Sequence, residues 1–79
     1  MPRKLTERQF LALAYLDTSD RVAPRDLPMR AYTARAVLAG VTRKGYAAEA
    51  VYGTYKITDA GRAALATARE EARREAGIS

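Results

Sequence analysis

The residues most informative about function in this sequence are basic residues that have no carboxylates near them in the sequence. Residues 27–48 contain Arg30, Arg35, Arg43 and Lys44 but no aspartate or glutamate. Such cations can bind phosphate, and an arginine guanidinium can also donate two hydrogen bonds to the edge of a guanine. Charge alone leaves two interpretations open, which are a surface that contacts phosphates and a helix face that is merely solvated.

The excess of positive over negative charge lies in the first part of the chain. Residues 1–44 contain nine basic and four acidic residues, whereas residues 45–79 contain five of each. The net charge of +5 therefore belongs to the first part. A cluster of basic residues on one helix is typical of a surface that contacts nucleic acid.

The residue types that most catalytic and metal sites need are missing. The 79 residues include no cysteine and no histidine, which excludes disulfides, thiol or imidazole catalysis and zinc sites built from these ligands. The carboxylates are scattered, and there is no glycine-rich phosphate loop. We therefore expect no enzyme, no cofactor and no metal.

The length predicts one domain over residues 1–79 with a small core. No apolar run approaches the roughly 20 residues that span a bilayer, and no signal-peptide pattern opens the chain. We expect a cytoplasmic protein without membrane contact.

The pattern of apolar and turn residues predicts the elements that would position the cations. Residues 6–9 (TERQ) fit a capping box at the start of a helix that ends near Asp17. Val22 is predicted to be a single inward-facing strand residue. Pro24 opens a short second helix, in which Leu27 anchors the core.

The third predicted helix, residues 31–44, carries most of the candidate contacts. Ala34, Leu38 and Val41 face inward, and Gly45 supplies a left-handed cap after the helix. The outward positions near its start are the candidates for reading bases: Arg30, Tyr32, Thr33, Arg35 and Ala36.

A short β-hairpin is predicted after this helix. With residues 52–53 as the loop, Glu49 would lie opposite Lys56 and Ala48 opposite Ile57, which places an opposite-charge pair on the outer face. A slightly longer loop is the alternative. The candidates for phosphate and wing contacts are the remaining outward cations and the residues of this hairpin: Arg21, Arg25, Arg43, Lys44, Tyr52, Thr54 and Lys56.

Thr58 is predicted to cap a final helix over about residues 59–75. Small residues along one stripe of this helix could form the seam of a homodimer: Ala60, Ala64, Leu65, Ala68 and Ala72. Alanine is also the best helix former, which is a sufficient structural reason for the same stripe.

Two motifs carry a resemblance to a known family over about residues 6–65. The first is VTRKGY at residues 41–46, and the second is YKITDAGR at residues 55–62. Together they resemble the winged helix-turn-helix superfamily, in the neighbourhood of the MarR-like and PadR-like bacterial regulators. The resemblance implies an α+β, mostly α fold with a three-helix core, a two-stranded β-wing and a long C-terminal helix. The chain departs from it at residues 27–29, where the family usually has a longer second helix and turn.

These observations favour a small, sequence-specific protein that binds double-stranded DNA with the helix over residues 31–44 in the major groove. We expect a bacterial or phage transcriptional regulator of repressor type, associated with the nucleoid when bound. One alternative is an architectural or recombination accessory factor. The other is a winged helix that binds a protein, and not DNA, through Leu11, Tyr15 and Tyr32.

Overall fold

The computed structural model describes residues 5–19 and 21–77, apart from the side chain of Tyr52. Within these residues the protein is a small, mostly helical α+β fold with three α-helices and one two-stranded antiparallel sheet. The elements are α1 (Glu7–Asp17), α2 (Ala31–Arg43), β1 (Ala47–Glu49), β2 (Tyr55–Ile57) and α3 (Asp59–Gly77). None of the helices in this part of the chain is long and apolar enough to cross a membrane.

Helix α1 begins at the predicted capping box. The hydroxyl oxygen of Thr6 accepts from the backbone N–H of Gln9 at 3.1 Å, and the side-chain oxygen of Gln9 accepts from the N–H of Thr6 at 3.1 Å. The helix ends at Asp17 as predicted. These reciprocal bonds satisfy two of the N–H groups that a helix start leaves without partners.

The segment between α1 and α2 contains the predicted strand residue and a shortened second helix. Val22 and Tyr55 each donate a backbone N–H to the other's carbonyl at 2.9 Å, which confirms Val22 as a strand residue beside β2. The predicted helix is one 3₁₀ turn, Pro24–Asp26, and Leu27 after it is buried as predicted. Pro28 has no N–H to continue a helix, which explains why the turn stops there.

Helix α2 closes with the predicted glycine cap. Gly45 has a φ of 84°, a conformation that glycine adopts without strain. Its N–H donates to the carbonyl of Thr42, and the N–H of Tyr46 donates to the carbonyl of Val41, both at 2.9 Å. This pair of bonds is a Schellman motif. The inward residues Ala34, Leu38 and Val41 are completely buried, as the pattern predicted.

The hairpin differs from its predicted register by one residue. Ala47 lies opposite Ile57, Ala48 opposite Lys56 and Glu49 opposite Tyr55. The predicted pairing of Glu49 with Lys56 and of Ala48 with Ile57 is therefore wrong.

The shift results from the length of the loop. Residues 51–53 form a 3₁₀ turn in which Gly53 has a φ of 71°, and the N–H of Ala50 donates to the carbonyl of Thr54 at 2.6 Å. A two-residue loop would place Tyr52 at a position that favours positive φ, which the longer turn avoids. The observed register instead brings Ala47 and Ile57 together in the core.

Helix α3 is fixed to the turn after α2 by the predicted cap. The hydroxyl of Thr58 accepts from the N–H of Gly61 at 3.0 Å and donates to the carbonyl of Gly45 at 2.6 Å. A side chain at Gly61 would overlap the carbonyl oxygen of Tyr46, so glycine permits this close approach. The helix continues to Gly77, slightly beyond the predicted end.

One hydrophobic core connects the three helices, the sheet and the segment before α2. It consists of apolar side chains that are at least nine-tenths buried: Ala12, Leu13, Leu16, Val22, Leu27, Ala34, Leu38, Val41, Ala47, Ile57 and Leu65.

Candidate nucleic-acid interface

The start of α2 presents the candidate base-reading residues on the surface. Arg30, Arg35 and Ala36 are exposed, Thr33 is half-buried, and Tyr32 is 81% exposed. Among residues 5–19 and 21–77, no carboxylate forms an ion pair with either arginine. The two guanidinium groups are therefore available to an external anion.

The backbone at the start of α2 is also free to donate hydrogen bonds. Arg30 occupies the N-cap position, and no side chain caps the helix. The N–H groups of Ala31, Tyr32 and Thr33 have no hydrogen-bond partner within the described chain, and the first turn contains no acidic residue. Free N–H groups at the positive end of a helix dipole favour anions.

The predicted phosphate-contacting cations outside the hairpin lie before α2 and at its C-terminal end in the sequence. Arg21, Arg25, Arg43 and Lys44 are all exposed, and none of them is ion-paired within the part of the chain that the structure describes. Arg25 lies on the 3₁₀ turn that packs against α2. Arg43 and Lys44 lie at the other end of α2, where they also favour the negative end of the helix dipole.

The candidate residues of the hairpin differ in how available their side chains are. Lys56 is exposed and lies opposite Ala48, so no carboxylate faces it across the sheet. The hydroxyl of Thr54 donates to the carbonyl of Val51 at 2.7 Å and is thus engaged within the turn. The side chain of Tyr52 lies outside the described part of the chain. Val51, which is 53% exposed, is an apolar residue at the tip.

Sequence reasoning missed the position of α1 beside α2. The first turn of α1 and the first two turns of α2 line an open cleft of about 600 Å³. Glu7 and Arg8 are exposed in this cleft. Its lining comes from both helices: Thr6, Glu7, Arg8, Gln9, Tyr32, Thr33, Ala36 and Val37. No local sequence pattern could have placed these two helix starts together, because their contact depends on the packing of α1 against α2.

The predicted dimer seam on α3 needs a correction. Leu65 is 1% exposed and belongs to the core, so it cannot contact a second chain. Ala64 and Ala68 are half-buried, and Ala60 and Ala72 are exposed. Part of the stripe faces α1 of the same chain, since a small cavity is lined by Leu5, Phe10, Ala68, Glu71, Ala72 and Glu75. A homodimer through α3 remains a prediction, without Leu65.

Two arginines of α3 have ion-pair partners within the domain, unlike those of α2 in the described residues. Arg62 lies 3.6 Å from one carboxylate oxygen of Asp17 and 3.3 Å from Asp59. Arg69 lies 3.8 Å from the other oxygen of Asp17. These pairs connect the end of α1 to α3.

The apolar residues of the protein-binding alternative are also accessible. Leu11 and Tyr15 are 38% and 39% exposed, one helical turn apart on α1. Tyr32 belongs to α2, beside the exposed cations. The two α1 residues thus form a small exposed apolar area.

Neither a metal-ligand cluster among the described residues nor a similar known protein points to a further site. Within residues 5–19 and 21–77, no group of three or more acidic residues could hold a metal ion. Comparisons with models of protein families, with curated proteins and with solved structures found no match. The functional interpretation therefore rests on the geometry and charge of the protein itself.

Proposed function

We propose that this protein binds double-stranded DNA as a winged helix-turn-helix domain and acts as a sequence-specific regulator of repressor type. The observation that carries the proposal is the unpaired cationic surface at the uncapped start of α2. Arg30 and Arg35 are exposed there, and residues 27–48 contain no carboxylate to compete for them.

The order of the elements supports this interpretation. Helix α1 and the 3₁₀ turn at residues 24–26 precede α2, the hairpin follows as the wing, and α3 closes the domain. The major groove of B-DNA, about 12 Å wide, accepts one α-helix. With α2 in the groove, its exposed first turns would face the base edges.

The candidate contacts divide into two classes with different consequences. Arg35 lies within α2 and is the best candidate to bind guanine through two hydrogen bonds. Arg25 and the free N–H groups of residues 31–33 would bind phosphates and fix the position of the helix, and Arg30 is a candidate for both classes. Contacts of the second class give affinity without sequence preference.

A titration with mixed genomic DNA at two salt concentrations tests the proposal. A protein that neutralises several phosphates loses affinity by orders of magnitude between about 50 and 200 mM salt. Sequencing of the retained fragments would then identify the preferred site. Binding that does not depend on salt, or no binding at low salt, would contradict DNA binding and favour a protein partner at Leu11 and Tyr15.

Two arginine variants test whether Arg35 reads a base. Arg35→Ala should relax the preference at one base pair by about 1–3 kcal/mol. Arg69→Ala, which removes the same charge from an arginine paired with Asp17, should leave DNA binding unchanged. Equal affinity of the wild-type protein for all sequences would instead support the architectural or recombination accessory function.

A further inference from the structure

A groove on the other side of the α1 start is lined mostly by apolar side chains. It lies between the first turns of α1 and the segment before α2, and its volume is about 530 Å³. We refer to it as the α1 groove. Its lining consists of five apolar residues and two charged ones: Leu5, Phe10, Leu11, Pro28, Met29, Glu7 and Arg8. A concave, mainly apolar site with few polar groups is suited to bury a side chain of similar character.

The exposed apolar surface continues from this groove along α1. Among the described residues, four large hydrophobic side chains are exposed, and two of them, Leu11 and Tyr15, belong to α1. Leu11 lines the groove. Tyr15 lies beside Leu11 on the same face, because residues four apart are neighbours on a helix. Contiguous apolar surface marks an interaction site more often than single scattered residues do.

The side chain of Tyr15 is complementary to the α1 groove. Its ring is apolar, and its hydroxyl has no hydrogen-bond partner among the described residues. The groove combines apolar walls with the Glu7 carboxylate, which accepts hydrogen bonds, and the Arg8 guanidinium, which donates them. Neither charged side chain has an ion pair within the described part of the chain. A tyrosine in this groove would bury its ring and keep its hydroxyl hydrogen-bonded.

The position of the groove and of Tyr15 on one helix favours a second copy of the chain as the partner. In a pair related by a twofold axis, both chains bury the same surface, so each can supply what the other accepts. With the two α1 helices antiparallel, Leu11 of each chain would lie opposite Tyr15 of the other. A second copy therefore fills the groove and covers Tyr15 in one contact.

We propose that the protein forms a twofold-symmetric homodimer through α1, in which Tyr15 of each chain occupies the α1 groove of the other. This interface is distinct from the alanine stripe of α3, and the inference does not depend on DNA binding. A contact made mainly by two single helices lies at the small end of interface sizes, so we expect a dimer in reversible equilibrium with the monomer.

Sedimentation equilibrium of the full chain without DNA tests the proposal. The wild-type protein should change from monomer to dimer between about 1 and about 500 µM. Tyr15→Ala should raise the dissociation constant by about 100-fold, since each dimer loses two buried rings. Tyr15→Phe retains the rings and removes two hydrogen bonds per dimer, so it should raise the constant by about 10-fold.

Two variants outside the α1 groove serve as controls. Tyr32→Ala removes the same side chain as Tyr15→Ala, from a more exposed position on α2 that does not line the groove. Ala60→Glu places a charge at an exposed position of the α3 stripe. Both variants should keep the wild-type dissociation constant. Circular dichroism confirms that each variant is folded.

The results separate the α1 dimer from the other interfaces. A wild-type protein that stays monomeric over the whole concentration range overturns the proposal. Equal weakening by Tyr15→Ala and Tyr32→Ala would show unspecific association of exposed rings, and a dimer that only Ala60→Glu disrupts would place the interface on α3. If Tyr15→Ala does not fold, Tyr15→Phe decides, and a wild-type constant for it would contradict insertion of Tyr15. In each of these cases the proposed DNA binding still stands, because no DNA is present in the experiment.

Discussion

Helices α2 and α3 use their charges in opposite ways. Helix α3 begins with the Thr58 cap and Asp59, and its Arg62 and Arg69 pair with carboxylates of the same chain. Helix α2 begins with Arg30, has no side-chain cap and carries no acid in its first turn. The start of α3 thus has a side-chain cap and an acidic first turn, whereas the start of α2 has neither among the described residues.

The two helices also differ in how closely their glycines approach neighbouring parts of the chain. Helix α3 approaches the turn after α2 so closely that Gly61 has no space for a side chain. In α2, a Cβ at Gly40 would make only an ordinary contact of 3.7 Å with the side-chain nitrogen of Gln9. The fold requires a glycine in α3 but does not require one in α2.

The largest change in stability should come from glycine-to-alanine substitution in α3, compared with the same substitution in α2. Gly61→Ala should lower the free energy of unfolding by about 3 kcal/mol, because its Cβ would overlap the backbone at Tyr46. Gly40→Ala should raise it by about 0.5–1 kcal/mol, because alanine is the better helix former. Urea unfolding of both variants measures the difference. A change of the same sign in both would show that the packing contrast is wrong.

A smaller effect should follow from removing the cap of α3. Thr58→Ala should lower the free energy of unfolding by about 1–2 kcal/mol, since both the cap and the bond to the Gly45 carbonyl are lost. Thr58→Ser should restore most of this loss. Thr67→Ala, at an exposed position on the same helix, is the control and should change stability little. If it costs as much as Thr58→Ala, loss of the cap does not explain the result.

The smallest change in stability should come from capping α2. Arg30→Ser supplies a side chain that can accept from the free N–H groups of α2, so it should raise the free energy of unfolding by about 0.5–1 kcal/mol. The same variant should bind DNA more weakly, because it removes a cation and occupies a phosphate-binding donor. Thermal unfolding and a DNA titration measure the two effects. A loss of stability would mean that Arg30 already stabilises the helix start.

Local hydrogen-bonding patterns explain why much of the fold could be predicted. The capping box at residues 6–9, the glycine cap at Gly45 and the Thr58 cap each involve bonds between residues close in sequence. The buried stripe of α2 likewise follows from helical periodicity. Residue types at fixed spacing are sufficient to indicate such features.

The register of the hairpin and the orientation of α3 could not be predicted in the same way. A loop longer by one residue shifts every residue pair of the sheet. In the observed register Ala47 lies opposite Ile57, and both are buried in the core. The stripe of α3 that seemed available for a dimer includes Leu65, which the packing of α3 places in the core. Both outcomes depend on contacts between distant parts of the chain.

Residue types and spacing alone establish that the chain lacks cysteine and histidine, that its cations cluster without carboxylates over residues 27–48, and where its helices begin. Tertiary packing decides which cations of the chain gain partners: Arg62 and Arg69 reach Asp17, whereas Arg30 and Arg35 reach no carboxylate within the described residues. Packing of α1 against α2 also creates the cleft that holds Arg8. The physical reason is that ion pairs and clefts depend on distances through space, which a one-dimensional pattern does not contain.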